Sequence, residues 1–284
     1  MRIGGKRVLV TGGSRGIGRG IALALGARGA RVAVHYRSDE AAARDALLRL
    51  RDLGADGMVA QADVTRPEDI ERLFAEVGSG LGGLDILVCG ARPELGAFYA
   101  PPMRIGLDHW EAAMGSQARA FLLCVQAAAR IMPESGGGRI LAVTYAPGAR
   151  TGSWQPWVAM GAAKAAMESL VRSFAVALAP RGITVNAVSP GCAFGPPNAV
   201  EGSVLRGLPA EVQETIRAWH ASGWTPMRRL ATPEEVGGVA ALLCAEEAGF
   251  VTGQTLQVDG GASLMDPVFP LDVQGAAAAA VAVP

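Results

Sequence analysis

Much is missing from this 284-residue chain, and each absence removes a class of function. Four cysteines (Cys89, Cys124, Cys192, Cys244) lie far apart, mostly in apolar stretches. They form neither a disulfide framework nor a zinc site, and read as buried thiols in a reducing compartment. No charge of either sign is in surplus: Lys plus Arg and Asp plus Glu both number 26. Nucleic acid and membrane surfaces are therefore not expected as partners. No apolar run has the length of a bilayer span. Met1-Arg2-Ile3-Gly4-Gly5 runs straight into a strand, without a signal-peptide pattern. No acid–histidine metal pattern and no Gly-x-Ser-x-Gly elbow occurs. The expectation is a soluble cytoplasmic protein that acts on a small molecule and holds no metal.

What is present centres on Thr11-Gly12-Gly13-Ser14-Arg15-Gly16-Ile17-Gly18. An apolar run, Val8-Leu9-Val10, leads in, and a helical pattern over residues 17–28 leads out. Strand, glycine turn and helix place freed N–H groups and a helix dipole where a pyrophosphate would lie. Gly12 and Gly16 allow close backbone approach, and Gly18 lets helix pack on strand. Strand and helix patterns then alternate. Strands are expected at 7–11, 31–36, 57–62, 84–89, 139–144, 183–188 and 255–258. Helices are expected at about 39–53, 67–77, 108–132, 157–178, 209–221 and 233–247, the last opened by the capping box Thr232-Pro233-Glu234-Glu235. This is an α/β pattern, a doubly wound parallel seven-stranded sheet in one domain over residues 1–265. Residues 266–284 form a low-complexity tail with an alanine run, either helical, packed on a partner or disordered.

Such a sheet binds its ligand at the carboxyl ends of the strands. The second strand ends without a carboxylate to take a ribose 2′-OH. Arg37 stands there instead, and Arg15 lies in the glycine turn. Two guanidinium groups suit a 2′-phosphate, which favours NADPH over NADH. Asp63, with Val64 beside it, is placed to meet an adenine or to cap the next helix.

With these residues in view, the chain resembles the short-chain dehydrogenase/reductase superfamily over residues 5–262. The resemblance rests on Thr11–Gly18, Asp63-Val64, Ile183-Thr184-Val185-Asn186-Ala187-Val188-Ser189-Pro190-Gly191 and Gly253-Gln254-Thr255-Leu256-Gln257-Val258-Asp259-Gly260-Gly261. It implies a Rossmann-type domain, usually dimeric or tetrameric, whose subunits meet through the long helices and the final strand. It also implies that Gly90 and Ala91 border the cofactor, that Pro190, Gly191 and Ala193 lie along the nicotinamide, and that Lys164 holds the nicotinamide ribose.

The family's proton-transfer residues are altered. Four residues before Lys164, where the family carries tyrosine, stands Met160, and a thioether cannot donate a proton. Tyr145 occupies the serine position, and Gln117, or Ser116 just before it, the asparagine position. The Asn-Asn-Ala-Gly segment has become Cys89-Gly90-Ala91-Arg92. Lys164, Tyr145, Gln117 and Met160 are thus the candidate catalytic positions, with Tyr145 the best surviving donor. Arg92, Tyr99, Trp154, Trp157, Trp219 and His220 are the candidate substrate wall, aromatic enough to suit a ring-bearing or cationic molecule. Reducing an iminium, or a hemiaminal that first loses water, needs no acid at the reacting atom. An NADPH-dependent reductase of such an acceptor on a polycyclic or heterocyclic molecule is the first expectation. An enoyl-thioester or carbonyl reductase using Tyr145 is the second, and a nucleotide-binding homologue without activity the third.

Overall fold

The computed structural model describes residues 3–93, 100, 102–133, 137–145, 158–191 and 210–264, with only the backbone of Trp219 and Trp224. Seven apolar runs form the sheet: β1 (Arg7–Thr11), β2 (Arg31–Tyr36), β3 (Gly57–Gln61), β4 (Ile86–Cys89), β5 (Gly138–Val143), β6 (Ile183–Pro190) and β7 (Thr255–Val258). All pairs are parallel, in the order β3-β2-β1-β4-β5-β6-β7. Val, Ile and Leu dominate the central strands because both faces are covered.

The helices are α1 (Gly16–Gly26), α2 (Glu40–Asp52), α3 (Pro67–Leu81), α4 (Leu107–Met114), α5 (Ala120–Ile131), α6 (Val158–Leu178), α7 (Ala210–Trp219) and α8 (Pro233–Cys244). Local chemistry sets their ends. Asp39 Oδ1 accepts the Ala42 N–H at 3.0 Å to open α2, and Pro67 begins α3, whose chain reverses at the left-handed Gly82. In the α8 capping box, Glu235 N–H donates to Thr232 Oγ1 at 3.2 Å and Thr232 N–H to Glu235 Oε2 at 2.8 Å. One core packs α3, α5 and α6 on the sheet around Leu9, Leu87, Phe121 and Val171. The other packs α1, α2 and α8 around Val8, Val10, Ile21 and Val236.

Several boundaries differ from expectation. The helix expected over 108–132 is α4 and α5 joined by a π-helical turn, Gly115–Arg119. β5 ends at Val143, so Tyr145 lies two residues past it. β6 runs on to Pro190, and α8 stops at Cys244. The tail at 266–284 lies outside the described residues. Among the described residues, no helix is long and apolar enough to cross a membrane.

The strand order reverses between β1 and β4, whose ends Thr11 and Cys89 are paired. The crevice at that switch point is where this architecture binds ligands.

Candidate active site

The crevice opens into a cavity of about 1260 Å³ that follows the carboxyl ends of the strands. That exceeds the roughly 300–1,000 Å³ of a typical small-molecule pocket, leaving room for a dinucleotide beside a substrate. Its lining gathers residues from the turn after β1 to the end of β6.

At one end is the glycine turn. Gly12 takes φ +68°, and a Cβ there would meet Ala91 Cα at 2.8 Å, so the turn can approach the β4 loop only as glycine. Thr11 Oγ1 ties the two together, accepting from Gly90 N–H at 3.1 Å and Ala91 N–H at 3.3 Å. Gly12, Ser14, Arg15, Gly16, Ile17 and Gly18 line the cavity along the start of α1. A pyrophosphate fits this bare backbone cradle, which side chains would otherwise fill. Arg37, Asp63 and Val64 also face the cavity, as do Gly90, Ala91, Pro190 and Gly191. Asp63 Oδ1 accepts from Thr65 N–H at 2.9 Å and Thr65 Oγ1 at 2.7 Å, so Asp63 also shapes the chain into α3.

Arg92, Tyr145, Met160 and Lys164 lie on the same cavity. Lys164 is 5% exposed. Its ammonium donates to the Val143 carbonyl at 2.7 Å, which fixes the side chain beneath the end of β5. Burial is the main reason its pKa falls to about 7; the Arg92 charge lowers it further, against the opposing pulls of Cys89 and Glu168. Met160, one helical turn earlier, is fully buried and packs in a small cluster with Ala113, Ala159, Ala163 and Met114.

The structure separates some of the residues grouped from the sequence. Gln117 is 1% exposed and faces a small void against Thr11, Cys89, Cys124 and Met167, while its neighbour Ser116 lines the main cavity. Its amide Nε2 donates to the Ser116 carbonyl at 2.9 Å and the Ala91 carbonyl at 3.3 Å. Of the two candidates for the asparagine position, Ser116 lines the main cavity and the Gln117 side chain is turned under it. His220 follows α7 and hydrogen-bonds through Nδ1 with Thr225 Oγ1. Burial lowers its pKa, and it is not among the described residues that line the cavity. Tyr99, Trp154, Trp157 and Ala193 lie outside the described residues, as does the side chain of Trp219.

Two contributors were not anticipated. Trp110 lines the cavity from α4, whereas the sequence points only to tryptophans further along the chain. His35, on the apolar strand β2, has its ring between the glycine turn and the end of β3.

Comparison with known proteins agrees with this geometry. Residues 12–263 match a family model described as enoyl-(acyl carrier protein) reductase. The 1-cyclohexenylcarbonyl-CoA reductase of Streptomyces collinus is 35% identical over 93% of this chain and 89% of its own length. The crystal structure of the angucycline C-6 ketoreductase LanV with bound NADP superposes with TM-score 0.81 at 33% identity, covering 93% of this chain and 97% of that one. A short-chain dehydrogenase from Burkholderia cenocepacia J2315, in complex with NADP, gives TM-score 0.79 at 32% identity over 92% and 99% of the two chains. With a glycine-turn crevice at the β1/β4 reversal, and relatives spanning nearly its whole length, the chain belongs to the short-chain dehydrogenase/reductase family of NAD(P)-dependent oxidoreductases.

Proposed function

We propose that the protein is an NADPH-dependent reductase of a conjugated enoyl acceptor, an enoyl thioester in the first instance, with Tyr145 holding the acceptor's carbonyl and no acid drawn from α6. Met160 carries this reading: one turn before Lys164, on the cavity wall, it offers only a thioether. Direct reduction of a ketone there would lack the usual donor to the developing alkoxide. When hydride adds to the β-carbon of a conjugated enoyl group, charge instead collects on the carbonyl oxygen as an enolate. A hydrogen bond to that oxygen is enough at that moment, and the α-carbon takes its proton from solvent afterwards. The C=C bond is reduced to CH–CH by one hydride and one proton.

The charges on the wall reorder the expectations drawn from sequence. Arg92 and Lys164 are close enough for the Arg92 charge to lower the Lys164 pKa. Positive charge at this end favours a growing enolate and disfavours a cationic iminium. The family description and the 35%-identical relative both name enoyl-thioester reductases. The iminium or hemiaminal acceptor stays as second reading, since Met160 suits it equally.

NADPH, when bound, supplies the hydride. The Gly12–Gly18 turn with Ser14 and Ile17 would hold its pyrophosphate, Arg15 and Arg37 its 2′-phosphate, and Asp63 and Val64 its adenine. Gly90, Ala91, Pro190 and Gly191 would border the nicotinamide, and Lys164 would hold the ribose. A dimer or tetramer belongs to the same reading, supported by apolar side chains left exposed on α6 and β7, Val176 and Leu256.

Two experiments test these assignments. Arg37→Ala should raise the Kd for NADPH about tenfold, measured by calorimetric titration, and leave NADH unchanged, as expected for one charge-assisted phosphate contact. Wild type, Tyr145→Phe and Met160→Tyr are then assayed on an enoyl thioester, a cyclic iminium and a ketone, following NADPH absorbance. Wild type should prefer the enoyl thioester, Tyr145→Phe should lose roughly tenfold to a hundredfold on it, and Met160→Tyr should gain ketone reduction. Faster iminium turnover that ignores Tyr145 would install the second reading. NADPH binding without oxidation by any acceptor would leave a nucleotide-binding protein.

A further inference from the structure

We propose that His35 is a positioning residue for the cofactor: acting through the Gly12 turn, its neutral ring sets the cradle in which the pyrophosphate lies. The proposal rests on the NADPH reading above.

Residue 35 is the last but one of β2 and is 2% exposed. Its Nδ1 accepts the Gly12 N–H at 2.9 Å. Its Nε2 lies 3.0 Å from the Ala62 carbonyl, at the end of β3. A carbonyl only accepts, so Nε2 carries the proton and Nδ1 is left as the acceptor that Gly12 requires. The main chain of the same residue completes the grip, its carbonyl accepting the Gly13 N–H at 3.1 Å. Two consecutive N–H groups of the turn are thus anchored backwards onto β2. From Ser14 into α1 the chain then lines the cavity. Ala62 immediately precedes Asp63 and Val64, so one ring links the phosphate cradle to the adenine side of the cavity.

The charge state is part of the device. A second proton on the ring would set a donor at Nδ1 against the Gly12 donor. Burial holds the ring neutral, lowering its pKa to about 4, although the Ala62 hydrogen bond and the Asp63 charge pull the other way. The groups facing it are therefore the Gly12 amide, the Ala62 carbonyl and the Asp63 carboxylate. Asp63 also bonds Thr65.

A substitution here separates this role from simple packing. His35→Leu puts an apolar side chain of similar bulk in its place and leaves the Gly12 N–H without its acceptor. Its Kd for NADPH and for NADH, titrated by the fluorescence of the reduced nicotinamide, should both rise about tenfold, the usual cost of one buried donor losing its partner. In turnover, KM for NADPH should rise alike while kcat stays within about twofold. His35→Gln, whose amide offers both an acceptor and a donor, should recover most of the affinity. A circular-dichroism melt of each variant confirms that it is folded at assay temperature.

Folded His35→Leu with unchanged affinity for both nucleotides would overturn the proposal. So would a loss confined to NADPH, which would place the effect at Arg37 and the 2′-phosphate. A Gln variant no better than Leu would overturn it too, leaving only a packing role. Failure of the wild-type protein to bind either nucleotide would instead refute the reading beneath it, and the two failures are distinguishable in the same titration.

Discussion

Replacing Lys164 with methionine is expected to lower kcat/KM by about a thousandfold while raising the unfolding temperature. The two effects have one origin. The ammonium is buried and donates to the Val143 carbonyl, with Arg92 close enough to oppose its charge and Glu168 to favour it. Holding a charge there opposes folding, and methionine removes that cost while nearly matching the length of the side chain. The same ammonium would hold the nicotinamide ribose and place positive charge beside a developing enolate, and a thioether does neither. A pH profile separates this from mere packing. A buried lysine whose pKa has fallen to about 7 is increasingly neutral above that pH. Wild-type kcat/KM, which reports the free enzyme, should therefore decline as pH rises through about 7. Lys164→Arg keeps its charge at every accessible pH, so it should lose that decline and recover part of the rate. A methionine variant with wild-type kcat/KM, or a wild-type profile that stays flat from about one unit below the expected midpoint to about two units above it, would remove Lys164 from the mechanism.

The fold could be read from the sequence because its signals are local and repeated. Apolar runs of strand length alternate with helical periodicity, and the punctuation is strong: Asp39 before α2, Pro67 and Gly82 around α3, the Thr232 capping box. The glycine turn was legible for the same reason, since strand, turn and helix are contiguous. What escaped needs several distant segments, or one extra residue. The π-helical turn at 115–119 inserts a residue into an otherwise regular helix and rotates the face of α4 by about 100° against that of α5. A single period drawn through 108–132 therefore cannot tell whether Gln117 or Ser116 meets the cavity. It also gives no warning that Trp110 does. His35 is harder still. Its role requires β2, the turn after β1 and the end of β3 together, and within β2 it reads only as a polar residue in an apolar strand. Met160 lies at the other extreme. One helix turn before Lys164, its register is fixed by local geometry alone, and the four-residue spacing places both on the cavity wall.

Acid should weaken the folded protein through His35 well before most of its carboxylates are protonated. The ring has an ordinary pKa near 6.5 when exposed and about 4 in the folded chain. The folded state therefore refuses a proton that the unfolded state accepts. The stability from keeping the ring neutral is complete above pH 6.5 and drains away as pH falls towards 4. A shift of this size corresponds to about 3 kcal/mol, more than a hundredfold in the folding equilibrium. Other groups slope the same way at lower pH. Asp85, whose hydrogen bonds and ion pair with Arg7 hold its pKa below the ordinary value despite burial, and Glu235, bound to Arg229 and the Thr232 N–H, are stabilising as anions and lose that contribution on protonation. The difference between proteins isolates the histidine. Urea unfolding at intervals from pH 7 to 4 should give a steep fall for wild type and a shallower one for His35→Gln, whose amide does not titrate. The curves should converge or cross near the acid end, where wild type has surrendered the benefit of the neutral ring. NADPH affinity should change in parallel, weakening in wild type towards pH 4 as the Gly12 amide loses its acceptor and weakening less in the glutamine variant. Parallel stability curves over the whole range would mean that the ring is already charged, or solvated, in the folded chain. The Gly12 turn would then owe its shape to backbone bonds alone, such as those from Gly13 to Val10 and His35.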